Sequence, residues 1–352
     1  MGDCNAIQCK RGSCARESRQ LLAGSSTSLP VSPGLNVVVP VHNRWDLTAS
    51  CIGYLRLQTL PHDVIVCDNG STDGTPQRLR ASFPELRVIE LGANLGFATA
   101  CNRGVHASSA EIIVLLNNDV VCRPDFLERL VVPFREDARI GSAAALLLKP
   151  DEETIESFGL AADPTLAGYP RLRGSPARSA QATDPVLVGP SGAAAAFRRR
   201  AWAAVGGLDE GVFSYGEDVD LALRLRAAGW SAAAASDAVA IHIGSASAVT
   251  RSPWQRYQGG FSRGYFIRRY GILRGRTALR VLTTEAIAVG GDAIVFSHDL
   301  AALRGRVAGW RAAGGLPRHR HPPDDAIDDD ITFVKSLRLR LGVYSGDAGA
   351  CT

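Results

Sequence analysis

Five groups of polar residues have the types and spacing to share one reaction. "PVHNR" (40–44) ends one apolar run, "CDNGSTDGT" (67–75) a second and "NND" (117–119) a third, while the adjacent acids Glu217 and Asp218 and a lone His242 come much later. In a dry pocket the Asp68 carboxylate can accept the N3–H of a uracil or thymine. Asp119, flanked by the neutral amides Asn117 and Asn118, can hold a hard cation such as Mg²⁺ or Mn²⁺ against a diphosphate. His242, in "AVAIHIGSAS", could complete the same cation or diphosphate site. A carboxylate at 217 or 218 that faces a pocket can take the proton of an attacking hydroxyl, worth on the order of 10²- to 10⁴-fold in rate. Each group also has a plainer reading. Asp and Asn cap turns, first-turn acids complement a helix dipole, and a single His is most often structural. Asp220 and Arg224 form an i,i+4 pair expected to be a solvated salt bridge.

The elements that would position these groups follow from hydrophobic patterning. "LNVVVPV", "HDVIVCD", "LRVIEL" and "EIIVLLNND" begin at Leu35, His62, Leu86 and Glu111, with helix-compatible stretches at 46–57, 75–82 and 95–106 between them. Continuous β-branched runs alternating with helices predict parallel strands covered on both faces and joined by right-handed crossovers. The fold class is therefore α/β, a Rossmann-like, mostly parallel sheet with helices on both faces and a C-terminal helical extension. Ligands of such sheets sit beyond the carboxyl ends of the strands, where three of the polar groups fall.

Further along, 150–190 reads as a loop-rich flap. "GPSGAAAAFRRRAWAAVGG" reads as a strand and then a helix closed by Gly206 and Gly207, and "GEDVDLALRLRAAG" as a helix stopped by Gly229. The span 251–280 carries eight arginines and no acid, interleaved with Trp254, Tyr257, Phe261, Tyr265, Phe266 and Tyr270. Two readings are open for it: a helix with aromatics on the core and arginines in solvent, or an interfacial surface for anionic lipid or a lipid-linked acceptor. The expected division is a disordered tail at 1–33, a nucleotide-sugar-binding half at 34–148, an acceptor and catalytic half at 149–249, and the helical extension at 250–352.

The chain has 352 residues, 46% hydrophobic and 21% charged, enough for one large domain with appendages. A net charge of +4 without blocks of like charge argues against a nucleic-acid partner. Cys51, Cys67, Cys101 and Cys122 fall in core-like stretches and are expected to be reduced, which suits a cytoplasmic protein. Cys4, Cys9 and Cys14 match no metal-site spacing. No leader pattern and no apolar run of membrane-spanning length is present, so neither export nor a membrane span is expected. No G-x-G-x-x-G follows the first strand and no Walker loop occurs, so the commonest dinucleotide and triphosphate fingerprints are missing.

Taken in order, "VVVPVHNR", "VCDNGSTDGT", "NLGFATACNRG", "LLNNDV", "GGLDEGVFSYGEDVDLALRLRAAGW" and "HIGSAS" resemble a family-two glycosyltransferase of the GT-A fold. "N-x-G-F" together with "L-N-x-D" is similar to bacterial rhamnosyltransferase-like members. The resemblance implies an inverting hexosyltransferase using a UDP- or dTDP-sugar, a hydroxyl acceptor and a divalent cation, Mg²⁺ or Mn²⁺. By the same resemblance Pro40, Val41, His42, Asn43, Arg44, Asp68, Asn69 and Gly70 would line the nucleobase and ribose. Asn94, Gly96, Phe97, Asn102, Asn117 and Asn118 would lie near the donor, and Gly192, Trp202 and Tyr215 on the acceptor side. Asp119 and His242 would be the metal and diphosphate residues, and Asp218 the general base, with Glu217 its competitor. The usual D-x-D of the family is here Asn117-Asn118-Asp119, one carboxylate short. Rhamnose is the sugar the resemblance favours, with contact at the inner face of a membrane as a further implication. A non-catalytic relative and a sugar-1-phosphate nucleotidylyltransferase are the competing readings.

Overall fold

The computed structural model describes residues 34–181, 186–244, 252–275 and 277–344. The expected tail with its three cysteines, Arg251, and Ser245 to Ser247 of "HIGSAS" lie outside the described residues.

The first half follows the β-α rhythm of the sequence. Strands β1 (Leu35–Val41), β2 (Asp63–Asp68), β3 (Arg87–Glu90) and β4 (Ile112–Leu116) alternate with helices α1 (Trp45–Leu55), α2 (Thr75–Ser82) and α3 (Phe97–Ala107). The four strands are parallel in the order β3-β2-β1-β4. The middle of β1 is fully buried, with Val37 and Val39 on the face that packs against α1 and Val38 on the face that packs against α3. This two-sided burial is why the strand reads as a continuous apolar run.

The second half is mixed. After β5 (Val120–Cys122) and α4 (Phe126–Glu136) come β6 (Ile140–Leu148) and three short strands, β7 (Ile155–Ser157), β8 (Leu160–Ala162) and β9 (Gly168–Pro170). They are followed by β10 (Ala194–Arg198), α5 (Arg199–Val205), α6 (Glu217–Ala227) and β11 (Ser231–His242). β10 runs antiparallel between β4 and β6, β11 is parallel to β6, and β5 is antiparallel to β11. Among its described residues the region expected to be a loop-rich flap carries three short strands: β7 joins the main sheet beside β6, and β8 and β9 form a hairpin. Its apolar residues Phe158, Leu160 and Ala162 are buried, which gives the segment a packed face. The four described cysteines are free and buried as expected, and burial pushes the Cys67 thiol up to about 12.

Helices α7 (Pro253–Arg269), α8 (Ala278–Val295), α9 (Ala301–Ala312) and α10 (Phe333–Arg340) follow. The reading that puts the aromatics on the core and the arginines in solvent holds only in part. Tyr265, Phe266 and Tyr270 are core residues, and of the described arginines Arg274 is exposed while three others are held by acids. Arg256 pairs with Asp292 and Asp299, Arg263 with Glu285, and Arg269 with Asp209. Acids from elsewhere in the chain thus neutralise an acid-free stretch. The Asp220–Arg224 pair is also not solvated: its atoms are 2.7 Å apart and the Asp220 side chain is 0% exposed.

α7 and α9 touch backbone to backbone through glycines four residues apart, Gly260 and Gly264 on one helix and Gly305 and Gly309 on the other. A Cβ on any of them would overlap a carbonyl of the facing helix. Ala is the better helix former by about 1 kcal/mol, yet the obstacle is backbone and cannot swing away. Gly309→Ala is therefore expected to destabilise, by about 1–3 kcal/mol as for overpacked cores, in a denaturant titration. A rise in stability would show that the helices separate at little cost.

Candidate active site

The carboxyl ends of β1, β2 and β4 carry the cleft, each through a polar loop. β1 ends in Asn43 and Arg44, both left-handed with φ of 62° and 65°. This strained pair is held from the neighbouring loop. The Asn43 amide donates to Ser71 Oγ at 2.7 Å, its Oδ1 accepts from the Thr72 amide at 2.8 Å, and Asp73 accepts from the Trp45 amide. β2 ends in Asp68, 2% exposed, whose Oδ2 accepts from the Ser71 amide. Its Oδ1 is buried without a hydrogen-bond partner, an acceptor left open at the strand end.

Asn69 organises the next loop. Its Nδ2 donates to Asn94 Oδ1 and the Gly96 carbonyl, and its Oδ1 accepts from the Leu95 amide. Gly70 is required there, at φ +75° and with the Ala93 backbone 2.5 Å from where a Cβ would sit. Gly96 is seated against Phe213, and the Phe97 amide donates to the Phe213 carbonyl at 3.0 Å.

These loops enclose a cleft of about 480 Å³ lined by Pro40, Val41, His42, Arg44, Asn69, Asn94, Phe97, Asn117, Asn118, Asp119, Phe213, Ser214, Tyr215 and Trp254. Asn118 is fixed by donating to Thr48 Oγ1 at 2.9 Å. The last residue of β11, His242, places Nε2 3.2 Å from the buried Asp119 Oδ1, an oxygen without another partner. Its Nδ1 contacts Glu156 Oε2 at 2.8 Å. Burial alone would lower the His242 pKa, but the two carboxylates outweigh it and raise it to about 10.

A carboxylate on Nδ1 is the contact that orients histidine ligands in metal sites, with Nε2 left for the ion. A buried open oxygen beside that nitrogen fits a divalent cation. Glu156 is the residue that sequence reasoning missed. It lies 86 positions from its partner, on β7, and no local signal marks it. Glu156→Gln is expected to weaken Mn²⁺ binding roughly 10- to 100-fold in a calorimetric titration, with the thermal midpoint nearly unchanged. Unaltered Mn²⁺ affinity would reduce Glu156 to a surface partner.

Asp218 opens α6 beside the cleft. Its Oδ2 accepts from the Gly192 amide at 3.0 Å and its Oδ1 from the Val219 amide at 2.8 Å. A Cβ on Gly192 would contact both Asp218 and Phe97, so the small residue keeps the carboxylate and the cleft wall together. Glu217 is buried with Oε2 unpartnered. Burial and the neighbouring Asp218 raise its pKa to about 8, and burial raises that of Asp218 as well. At neutral pH this favours a neutral Glu217 beside a single negative charge on Asp218. The preceding Tyr215 is left-handed, with φ of 70°, the kind of backbone strain that gathers at functional sites.

Of the expected site residues, Asn43, Asp68, Gly70, Gly96, Gly192, Glu217, Asp218 and His242 do not themselves line this cleft, and two more lie in another depression. Asn102 is tied to the Leu208 carbonyl and Glu210, and Trp202 packs edge-on to Phe197 with ring centroids 5.1 Å apart. Both line a different depression on the far side of α3. Conversely, Phe213, Ser214 and Trp254 line the cleft without having been singled out for it. Trp254 is 47% exposed and stands edge-on to Phe213 and Tyr215. The signal available was the run "VFSYGED", which leads straight into the acid pair.

Comparison with known proteins agrees with this geometry. Residues 36–206 match the family model for glycosyl transferase family 2. The chain is 33% identical over 204 residues to an N-acetylglucosaminyl-diphospho-decaprenol L-rhamnosyltransferase of Mycobacterium tuberculosis, covering 52% of this chain and 66% of that protein. It is 29% identical over 228 residues to the O-antigen biosynthesis protein RfbC of Myxococcus xanthus, covering 61% of this chain and 18% of the relative. The fold is similar to that of a mannosyltransferase from Pyrobaculum calidifontis solved in complex with GDP-Man and Mn²⁺. The TM-score is 0.51 and the identity 20%, over 97% of this chain and 91% of the other. With its sheet, its strand-end loops and its sequence in agreement, residues 36–206 carry a glycosyl transferase family 2 domain within a GT-A-type fold.

Proposed function

We propose that the protein is an inverting glycosyltransferase that moves a hexose from a UDP- or dTDP-sugar to a hydroxyl of a lipid-linked acceptor. The observation that supports the reading is that Phe97 and Asp119 line one cleft, with Asp218 held at Gly192 next to Phe97 and His242 set against Asp119. Asp218 takes the proton of the acceptor hydroxyl, which attacks the anomeric carbon from the face opposite the nucleoside diphosphate. The configuration inverts and no covalent sugar–enzyme intermediate forms. Two backbone N–H groups hold the Asp218 carboxylate in place, and burial raises its basicity.

Asp119 and His242 are the residues that would hold a divalent cation, with Glu156 orienting the histidine. Bound there, the cation would supply positive charge to the departing diphosphate. Asp68, with its open buried oxygen, is assigned to the nucleobase. A prenyl-diphosphate-linked acceptor and rhamnose as the sugar are supported by the name of the mycobacterial relative. Such an acceptor implies peripheral contact with a membrane, and among the described residues no helix is long and apolar enough to cross one.

Calorimetry with UDP and dTDP, with and without Mn²⁺, tests the donor site. Cation-dependent binding of one of them is expected, and a panel of nucleotide sugars then names the donor. Absence of any cation-dependent nucleotide binding would return the chain to the non-catalytic reading.

A further inference from the structure

A second cavity, of about 580 Å³, lies behind the catalytic cleft between α7, α8 and α10. Its volume falls within the roughly 300–1,000 Å³ typical of small-molecule sites. Tyr215 lines both cavities, and Gly216, next in the chain and directly before the acid pair, lines the second. The two spaces therefore meet at the strained residue beside the acceptor-side acids.

The walls are apolar where they are not paired. Val219, Phe266, Ile287, Val295 and Leu341 supply hydrocarbon, and Gly259 and Gly291 supply open room. Arginines reach the same space, but each is engaged by an acid. Arg256 is held by Asp292 and Asp299, and Glu285 takes Arg263, Arg306 and Arg340 at 2.6–2.8 Å. With Asp163 4.0 Å from Arg340, four acids face four guanidinium groups, so the lining is neutral in sum and suits an uncharged chain. The outer rim continues onto bare hydrocarbon of α8, where Ile294 is 76% and Val295 61% exposed.

We infer that this groove holds the apolar chain of the acceptor, leading from the outer face of α8 to the cleft at Tyr215. The inference rests on the glycosyl-transfer reading for its choice of occupant and deepens it by giving the acceptor's tail a place. It also explains why hydrocarbon stays open to solvent on α8 while Tyr265 and Phe266 of α7 are buried. Each buried methylene contributes roughly fourfold in affinity, so even partial insertion of a prenyl chain would be measurable.

The probe is farnesyl diphosphate below its micellar concentration, compared with inorganic pyrophosphate by calorimetry on the full chain. The unmodified protein is expected to bind the prenyl compound at least tenfold more tightly. Gly259→Phe and Gly291→Phe place a ring in open space, where a Cβ meets nothing closer than 3.9 Å, and should abolish that preference. UDP and dTDP affinity should stay within twofold. Equal binding of the two probes by the unmodified protein, or an undiminished preference in both variants, would overturn the groove. Failure of nucleotide binding with the prenyl preference intact would instead count against the transfer reading alone.

Discussion

Asp218→Asn is expected to lower sugar transfer by roughly 10²- to 10⁴-fold while leaving the nucleotide dissociation constant within about twofold. The side chain keeps its size but loses the lone pair that accepts the hydroxyl proton. Both Asp218 oxygens now accept backbone N–H groups, from Gly192 and Val219. An amide can satisfy only one of these, so the thermal midpoint of the variant should be measured alongside its activity.

Glu217→Gln is the discriminating control. Its carboxyl has a folded pKa raised from 4.5 to about 8 and is neutral at pH 7, so an amide reproduces its charge. A raised carboxyl stabilises the fold fully below its unfolded value, and this contribution is lost as pH rises through about 8. Gln at 217 should therefore raise the midpoint most at alkaline pH and leave transfer within about tenfold of the unmodified enzyme. Loss of transfer in Glu217→Gln together with retention in Asp218→Asn would exchange their roles.

The parallel half of the sheet was legible because its strands are buried on both faces. "LNVVVPV" and "EIIVLL" leave no polar alternation, and no helix would bury so many β-branched residues in so short a run. The mixed half was harder to read. β10, "AAAFR", reads as the strand it is, whereas β11 begins "SAAAAS", an alanine-rich segment that favours helix and becomes a strand because β6 supplies its hydrogen bonds.

At the site, the strand-end residues were readable since strand ends define the rim. Asn102 was misplaced because it lies five residues beyond Phe97 on α3, about 140° around the helix, and so faces away from the cleft. Trp202 looked available as a large aromatic after a strand, yet it fills the core against Phe197. Glu156, and the acids that neutralise the α7 arginines, pair over long chain separations that only folding brings together. The four-residue spacing of Gly260 with Gly264 and of Gly305 with Gly309 was passed over in the sequence, yet it matches the contact observed.

Asp119→Asn tests the other end of the reaction, where the family's acidic pair has shrunk to one carboxylate. Asn117 and Asn118 bring no charge, and Asn118 is already committed to Thr48. Asp119 is thus the one carboxylate of "NND", and its buried open oxygen is what a cation would find beside His242 Nε2. Its removal is expected to abolish Mn²⁺-dependent nucleotide binding. Transfer should fall on the order of 10²-fold or more, as several kcal/mol of charge stabilisation at the departing diphosphate disappears.

The same substitution withdraws one of the two carboxylates that hold the His242 pKa at about 10. The imidazole should consequently titrate closer to neutrality in Asp119→Asn, with Glu156 as its remaining partner, and proton NMR of the ring can follow this without any ligand. A downward shift of the ring titration with no change in Mn²⁺ response would confine Asp119 to an electrostatic partnership with His242. A shift accompanied by loss of the Mn²⁺ response would make the carboxylate the anchor of the cation.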